Sequence, residues 1–149
     1  MERITRIEIP ADDEGYVSFQ CPSCGERFKL RADEVEQAAP DPLYCPLCGL
    51  SAEQSSFYTQ AVEDVALQHA ENFAAEALHE MFKEMERKSR SKSITFKAGP
   101  PPRKKPVSEL REVTDLAVVR LACCDMSIKV PNSDALSGVY CPYCGMEQV

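Results

Sequence analysis

The sequence has no tryptophan, and its 149 residues include only two histidines. His69 and His79 lack the i, i+4 spacing of a helical metal pair, and neither stands in an HExxH motif, so both read as ordinary surface or packing residues. Also missing are a Gly-x-Ser-x-Gly elbow, a glycine loop of the kind that cradles phosphate, and any histidine close to a cysteine in sequence. The chain is therefore expected not to be an enzyme. No apolar run of signal-peptide length follows the early arginines of MERITRIEIPADDEGY, and none approaches the roughly 20 apolar residues of a membrane span. A cytoplasmic protein without a membrane partner is the resulting expectation.

What the sequence does have is cysteine, eight in all, in a chain whose 44% hydrophobic content is ordinary for a folded protein. Where thiols stay reduced, paired cysteines are metal ligands more often than disulfides. Cys21 and Cys24 in CPSCG, with Cys45 and Cys48 in CPLCG, form C-x2-C-x20-C-x2-C, the separation of a four-cysteine zinc site. Two cysteines three positions apart on a tight turn aim both sulfurs at one tetrahedral ion. Gly25 and Gly49 fit a turn position that needs a positive φ, and Pro22 and Pro46 restrict the turn further.

The pattern then recurs. CGERFKL (residues 24–30) aligns with CDMSIKV (124–130), and LYCPLCG (43–49) aligns with VYCPYCG (139–145). Cys141 and Cys144 repeat the second knuckle, but the first is altered: Cys124 stands for Cys24, Asp125 for Gly25, and Leu121 occupies the place of Cys21. Aspartate tolerates a left-handed turn, so the turn can survive. The missing ligand is then supplied by Cys123, although neighbouring cysteines in an extended segment point to opposite sides and a local bend is needed. The favoured reading is a second site built from Cys123, Cys124, Cys141 and Cys144; a three-cysteine or empty site, with Cys123 a spare thiol, is the alternative.

Both halves, over about residues 16–50 and 116–146, resemble zinc ribbons, small β-rich modules in which two knuckles at hairpin turns grip one zinc. The resemblance implies zinc and β-hairpins, and the two cysteine sets favour two zinc ions per chain, with one at minimum; ribbons of this kind occur in nucleic-acid machinery and in protein adaptors alike. A rubredoxin-like iron electron carrier uses similar knuckles, but the usual flanking aromatic cluster is not evident here. RITRIEI alternates as a strand leading through Asp13, Glu14 and Gly15 into VSFQ, and TDLAVVRLA is its counterpart in the second half.

Between the ribbons, residues 56–88 contain neither glycine nor proline and are rich in alanine and glutamate, which predicts a long helix with Thr59 or the preceding serines as its cap. Its apolar positions, Val62, Val65, Phe73, Leu78, Met81 and Phe82, are expected to cover the ribbons, a second copy in a homodimer, or another protein. Beyond it the charge reverses. The chain carries a net charge of −7, yet Arg87, Lys88, Arg90, Lys92, Lys97, Arg103, Lys104 and Lys105 follow one another without an intervening acid. With Pro100, Pro101 and Pro102 among them, these residues read as an extended basic linker. Such a strip suits DNA, RNA, an acidic partner, or the chain's own acidic surface.

The expected architecture is a small α+β chain: an N-terminal zinc ribbon with a leading hairpin (1–55), a long α-helix (56–90), a basic Pro-rich linker (91–112), and a C-terminal zinc-ribbon-like module (113–149). The expected function is that of a non-enzymatic zinc-binding adaptor or accessory factor in a nucleic-acid-associated complex. A protein scaffold without nucleic-acid contact is the close alternative, because the ribbons are themselves acidic.

Overall fold

The computed structural model describes residues 8–89 and 96–148. The chain is α+β, with antiparallel sheets and one long helix. It divides into two compact units: residues 8–63 with those from 110 onward form one, and residues 64–109 belong to the other.

In the first unit, β1 (Tyr16–Gln20) and β2 (Arg27–Arg31) form a hairpin whose turn carries Cys21 and Cys24. Helix α1 (Ala32–Ala38) follows, then the short hairpin β3 (Leu43–Tyr44) and β4 (Ser51–Ala52), whose turn carries Cys45 and Cys48. The second half repeats this order: β5 (Ala117–Leu121), β6 (Met126–Val130), α3 (Asn132–Ser137), β7 (Val139–Tyr140) and β8 (Glu147–Gln148). β5 is the strand expected within TDLAVVRLA. The proposed strand RITRIEI falls mostly on residues outside the described range, and residues 8–12 are not a strand.

The two halves share one sheet. Its order is β1-β2-β6-β5, and the central pairing sets Lys29 opposite Lys129 and Leu30 opposite Ile128. Lys29 and Lys129 are equivalent positions of the repeat, so the two halves are related like the partners of an isologous dimer, within one chain. The physical reason is that an isolated two-stranded hairpin is marginal in water, while joining two of them buries one edge of each.

A second junction obeys the same symmetry. The Tyr44 N–H donates to the carbonyl of Pro142 (2.9 Å), and the Tyr140 N–H donates to the carbonyl of Pro46 (2.8 Å). Each tyrosine ring also lies over the glycine of the other knuckle: a Cβ on Gly145 would stand 3.0 Å from the Tyr44 ring, and one on Gly49 would stand 3.3 Å from Tyr140. Both glycines have positive φ, 80° and 77°. Gly145→Ala is therefore expected to lose about 1–3 kcal/mol from backbone strain and more from the displaced ring. Gly25→Ala has a similar φ (75°) but nothing within 4 Å of its new methyl, so it isolates the strain. Urea unfolding should place Gly145→Ala clearly below Gly25→Ala; equal losses would mean that the Tyr44 contact carries no energy.

The core lies on one face of the sheet. Alternation sends Val17 and Phe19 of β1, Phe28 and Leu30 of β2, and Ile128 and Val130 of β6 into it, where they meet Leu43, Phe57, Leu121 and Val139. Phe28 stacks on Phe19 and meets Phe57 edge to face, each at 6.0 Å between centroids. Lys29 and Lys129 belong to the opposite face and are nevertheless buried.

Helix α2 (Gln60–Ser89) is capped by Thr59, whose hydroxyl accepts from the Val62 N–H (3.4 Å). Over 30 residues it extends roughly 45 Å. Leu67, Phe73, Leu78, Met81 and Met85 are exposed along it. Among the described residues no helix is long and apolar enough to cross a membrane.

Candidate metal centres

The hairpin turns bring the cysteines together in two sets of four, with the sulfurs of each set within 4.8 Å of one another. In the first set the close pairs are Cys21 with Cys48 and Cys24 with Cys45, each at 3.7 Å. In the second they are Cys124 with Cys141 at 3.7 Å and Cys123 with Cys144 at 3.5 Å. A tetrahedral ion with metal–sulfur bonds of 2.3 Å sets its ligands about 3.8 Å apart, so both sets fit a four-thiolate metal site. The eight cysteines are free, with no disulfide between them.

The three turns that carry a glycine are built the same way. The N–H groups of Gly25, Gly49 and Gly145 donate to the carbonyls of Cys21, Cys45 and Cys141, which folds each knuckle tightly around its sulfurs. Ser23 and Cys24 direct their N–H groups at the Cys21 sulfur (3.3 and 3.4 Å), and Leu47 directs its N–H at Cys45 (3.4 Å). Burial pushes the Cys21 thiol up, but these backbone donors, with Cys24 and Cys48, outweigh it and bring the thiol to about 7. Burial drives Cys45 strongly upward, and burial together with the neighbouring sulfurs raises Cys123 and Cys124, the latter to about 11. Four crowded sulfurs cannot all lose their protons without a cation among them, and a divalent ion is the cation such a set accepts.

The altered knuckle takes the form anticipated from the sequence. Leu121 pairs with Met126 at the end of the β5–β6 hairpin and is completely buried in the core, where Cys21 sits in the first half. Asp125 adopts a positive φ of 53° in place of Gly25. The turn thus bends sharply enough for adjacent Cys123 and Cys124 to face the same two partners, Cys144 and Cys141.

A charged cluster that the sequence reading missed lies on the sheet face opposite the core. Lys29 and Lys129, with side chains 0% and 1% exposed, both reach Oδ2 of Asp12, at 3.1 and 2.8 Å. Oδ1 of the same carboxylate accepts the N–H groups of Glu14 (2.9 Å) and Tyr16 (3.0 Å). Lys29 also meets Glu112 (3.1 Å), Asp115 (2.7 Å) and the carbonyl of Val113, while Lys129 meets Glu14 (3.3 Å) and lies 4.6 Å over the Tyr16 ring. Arg27 joins Asp115 and Glu112 at the rim. Most of each lysine's neutralising charge thus comes from the segment that leads into the other half's first strand. The repeat alignment held the signal, since FKL and IKV place both lysines in register, but it does not say which face a covering loop will bury.

Among the described residues, four of the basic side chains singled out in the sequence pair with acids of α2. Arg87 and Lys88 pair with Glu84 (4.0 and 3.3 Å), and Lys104 and Lys105 pair with Glu76 (3.0 Å) and Glu71 (3.8 Å) of α2. The linker is bound to the helix by amides as well. Asn72 both accepts from the Lys105 N–H (2.9 Å) and donates to its carbonyl (3.0 Å), and Gln68 accepts from the Ser108 N–H (2.7 Å). Residues 68, 72 and 76 follow one another at four-residue spacing, so one stripe of the helix holds the strand of linker. Lys97 and Arg103 are exposed, and Arg90 and Lys92 lie outside the described residues.

Comparison of the chain with family models, with curated proteins and with solved structures finds no match.

Proposed function

We propose that this protein is a non-enzymatic, zinc-binding adaptor, a pair of zinc-ribbon-like modules fused through a shared sheet. The observation that carries the reading is the recovery of a fourth sulfur by Cys123 in a half that has lost the Cys21 position. Four thiolates close the tetrahedral shell and leave no coordination position for a substrate or an activated water, which suits a structural site rather than a catalytic one. Zinc is the ion for which such a closed thiolate set is the common structural arrangement.

A protein partner is favoured over nucleic acid. Lys104 and Lys105 already face acids of α2, which reduces the charge available to phosphates. By the helical period Leu67, Leu78, Met81 and Met85 fall on one side of α2, and all are about half exposed or more, supplying an apolar stripe.

Native mass spectrometry with elemental analysis tests the metal reading. Two zinc ions per chain are expected, falling to one in Cys123→Ser and in Cys124→Ser; one ion per chain, unchanged in Cys123→Ser, would overturn it. Binding to generic duplex DNA or single-stranded RNA, followed across salt, tests the choice of partner. Salt-steep binding that disappears when Arg103, Lys104 and Lys105 become alanine would return the nucleic-acid reading to first place.

A further inference from the structure

The two cysteine sets differ in which of their residues are exposed. In the first, each close pair has a buried member: Cys21 is only 2% exposed beside Cys48, and Cys45 is wholly buried beside Cys24. In the second, one close pair is exposed on both sides. Cys123 and Cys144 are both exposed and stand 3.5 Å apart, the shortest sulfur–sulfur approach of the close pairs. The cause is the substitution that made the second site unusual. Leu121 holds the core position that Cys21 fills in the first half, so the ligand that replaces Cys21 is displaced outward onto the turn.

We propose that Cys123 and Cys144 are a peroxide-oxidisable pair, a modification site through which hydroperoxides release the metal of the second centre while the first is retained. The inference rests on the metal-binding reading for its effect on the metal, and on geometry alone for the choice of sulfurs. One thiolate attacks hydrogen peroxide, its sulfur is oxidised to sulfenic acid, and the oxygen–oxygen bond breaks with loss of hydroxide. The other thiolate then attacks the sulfenic sulfur and displaces a second hydroxide as the disulfide forms. Two protons convert both hydroxides to water. The peroxide is reduced by two electrons, which come from the two sulfurs.

A disulfide needs its sulfurs about 2 Å apart, a closure of about 1.5 Å that two turn residues can make once the ion no longer holds them. The ion is then left with Cys124 and Cys141, two ligands of its original four, and dissociates. The first centre resists because Cys24 is its one exposed cysteine, and the close partner that would have to complete a disulfide, Cys45, is held wholly buried in the core. Susceptibility to oxidation follows exposure as well as thiolate character, so release from the second centre should be at least about tenfold faster.

The test uses the full chain, its zinc content measured beforehand, treated with graded hydrogen peroxide. Released zinc is followed with a chromogenic chelator, retained zinc by native mass spectrometry, and bonded cysteines by peptide mapping. The expected result is a first phase that frees one ion per chain and produces the Cys123–Cys144 disulfide, followed much later by the second ion; thiol reduction and added zinc should restore the starting mass. Release of both ions at one rate, earlier oxidation of the Cys21, Cys24, Cys45 and Cys48 set, or a first disulfide between other partners would overturn the proposal. A starting content below two ions would count against the metal reading alone, because the disulfide map still decides whether Cys123 and Cys144 are the pair oxidised first. Leu121→Cys is the second variant. It offers a buried sulfur at the core position, and the expected outcome is slower release from the second centre.

Discussion

Asp12→Asn is expected to lower the free energy of unfolding by about 3–5 kcal/mol, the cost of leaving buried charge without its partner. The substitution separates two roles of one side chain. An amide oxygen can still accept the N–H groups of Glu14 and Tyr16, as Oδ1 does now, so the turn into β1 is kept. What is lost is Oδ2, the atom that both Lys29 and Lys129 reach from fully buried positions. An amide nitrogen there would point donors at two ammonium groups facing one another across the β2–β6 pairing. Denaturant unfolding at neutral pH, with metal saturating, measures the loss; a change within about 0.5 kcal/mol would mean that Glu112, Asp115 and Glu14 suffice without Asp12.

The same cluster fixes a pH dependence whose sign follows from the shifts. Burial pushes the Asp12 carboxyl up, but hydrogen bonds from Lys129, from the Tyr16 N–H and from Lys29 outweigh it and hold the group well below the usual carboxylate range. A lowered pKa contributes stability that is present above the unfolded value, about 3.9, and is lost as pH falls below it toward the folded value. Lys29 and Lys129 are shifted the other way. Burial lowers them, yet Asp115, Glu112 and Asp12 raise Lys29, and Asp12 and Glu14 raise Lys129, each to a net increase. Their contribution is present below about 10.4 and lost as pH rises through the folded values. The stability gap between the native protein and Asp12→Asn should therefore be widest between about pH 5 and 10 and narrow on the acid side as Asp12 protonates. Taking the difference between the two proteins removes the acid release of metal that both share.

Removal of the metal is expected to have the largest effect of all. Metal binding by small thiolate sites is worth about 10 kcal/mol or more, comparable with the whole stability of a domain of this size. All eight strands of the described residues flank the knuckles, and β3–β4 and β7–β8 are only two residues long on each side, so these two hairpins have the fewest ladder bonds of their own and depend most on a bound ion. Chelation should therefore melt these hairpins and the reciprocal Tyr44–Pro142 and Tyr140–Pro46 bonds, with loss of amide protection at those residues in hydrogen exchange. Helix α2, stabilised by its own turns and by the linker amides, should retain more of its circular dichroism. A chelated protein that keeps its protection in β3–β4 and β7–β8 would show that packing, and not metal, maintains the knuckles.

How much of this was legible beforehand differs from element to element. The long helix was readable because 33 residues without glycine or proline leave few competing conformations, and Thr59 supplied its cap. Both cysteine sets were readable because ligand spacing is local: two sulfurs on one turn are placed by four residues of backbone. Cys123 was readable once the repeat showed that Leu121 had taken a ligand's place. The exposed apolar side chains of α2 are a different case, since Phe73, Leu78 and Met81 announce a helix face without stating what, if anything, lies against it.

The sequence by itself determined the local chemistry: two knuckles per half, a positive φ after each, a helix between the halves and a reversal of charge beyond it. Only the tertiary structure decided that the halves would pair through β2 and β6, that Lys29 and Lys129 would face one another under a cover of acids from residues 12–14 and 112–115, and that Lys104 and Lys105 would lie against α2. The physical reason is range. Turn geometry and helix propensity are settled by neighbours in the chain, whereas the edge of a hairpin carries the same unpaired amides and carbonyls whatever partner will meet it, and a lysine on its outer face reads as exposed until a distant loop brings the carboxylate that lets it be buried.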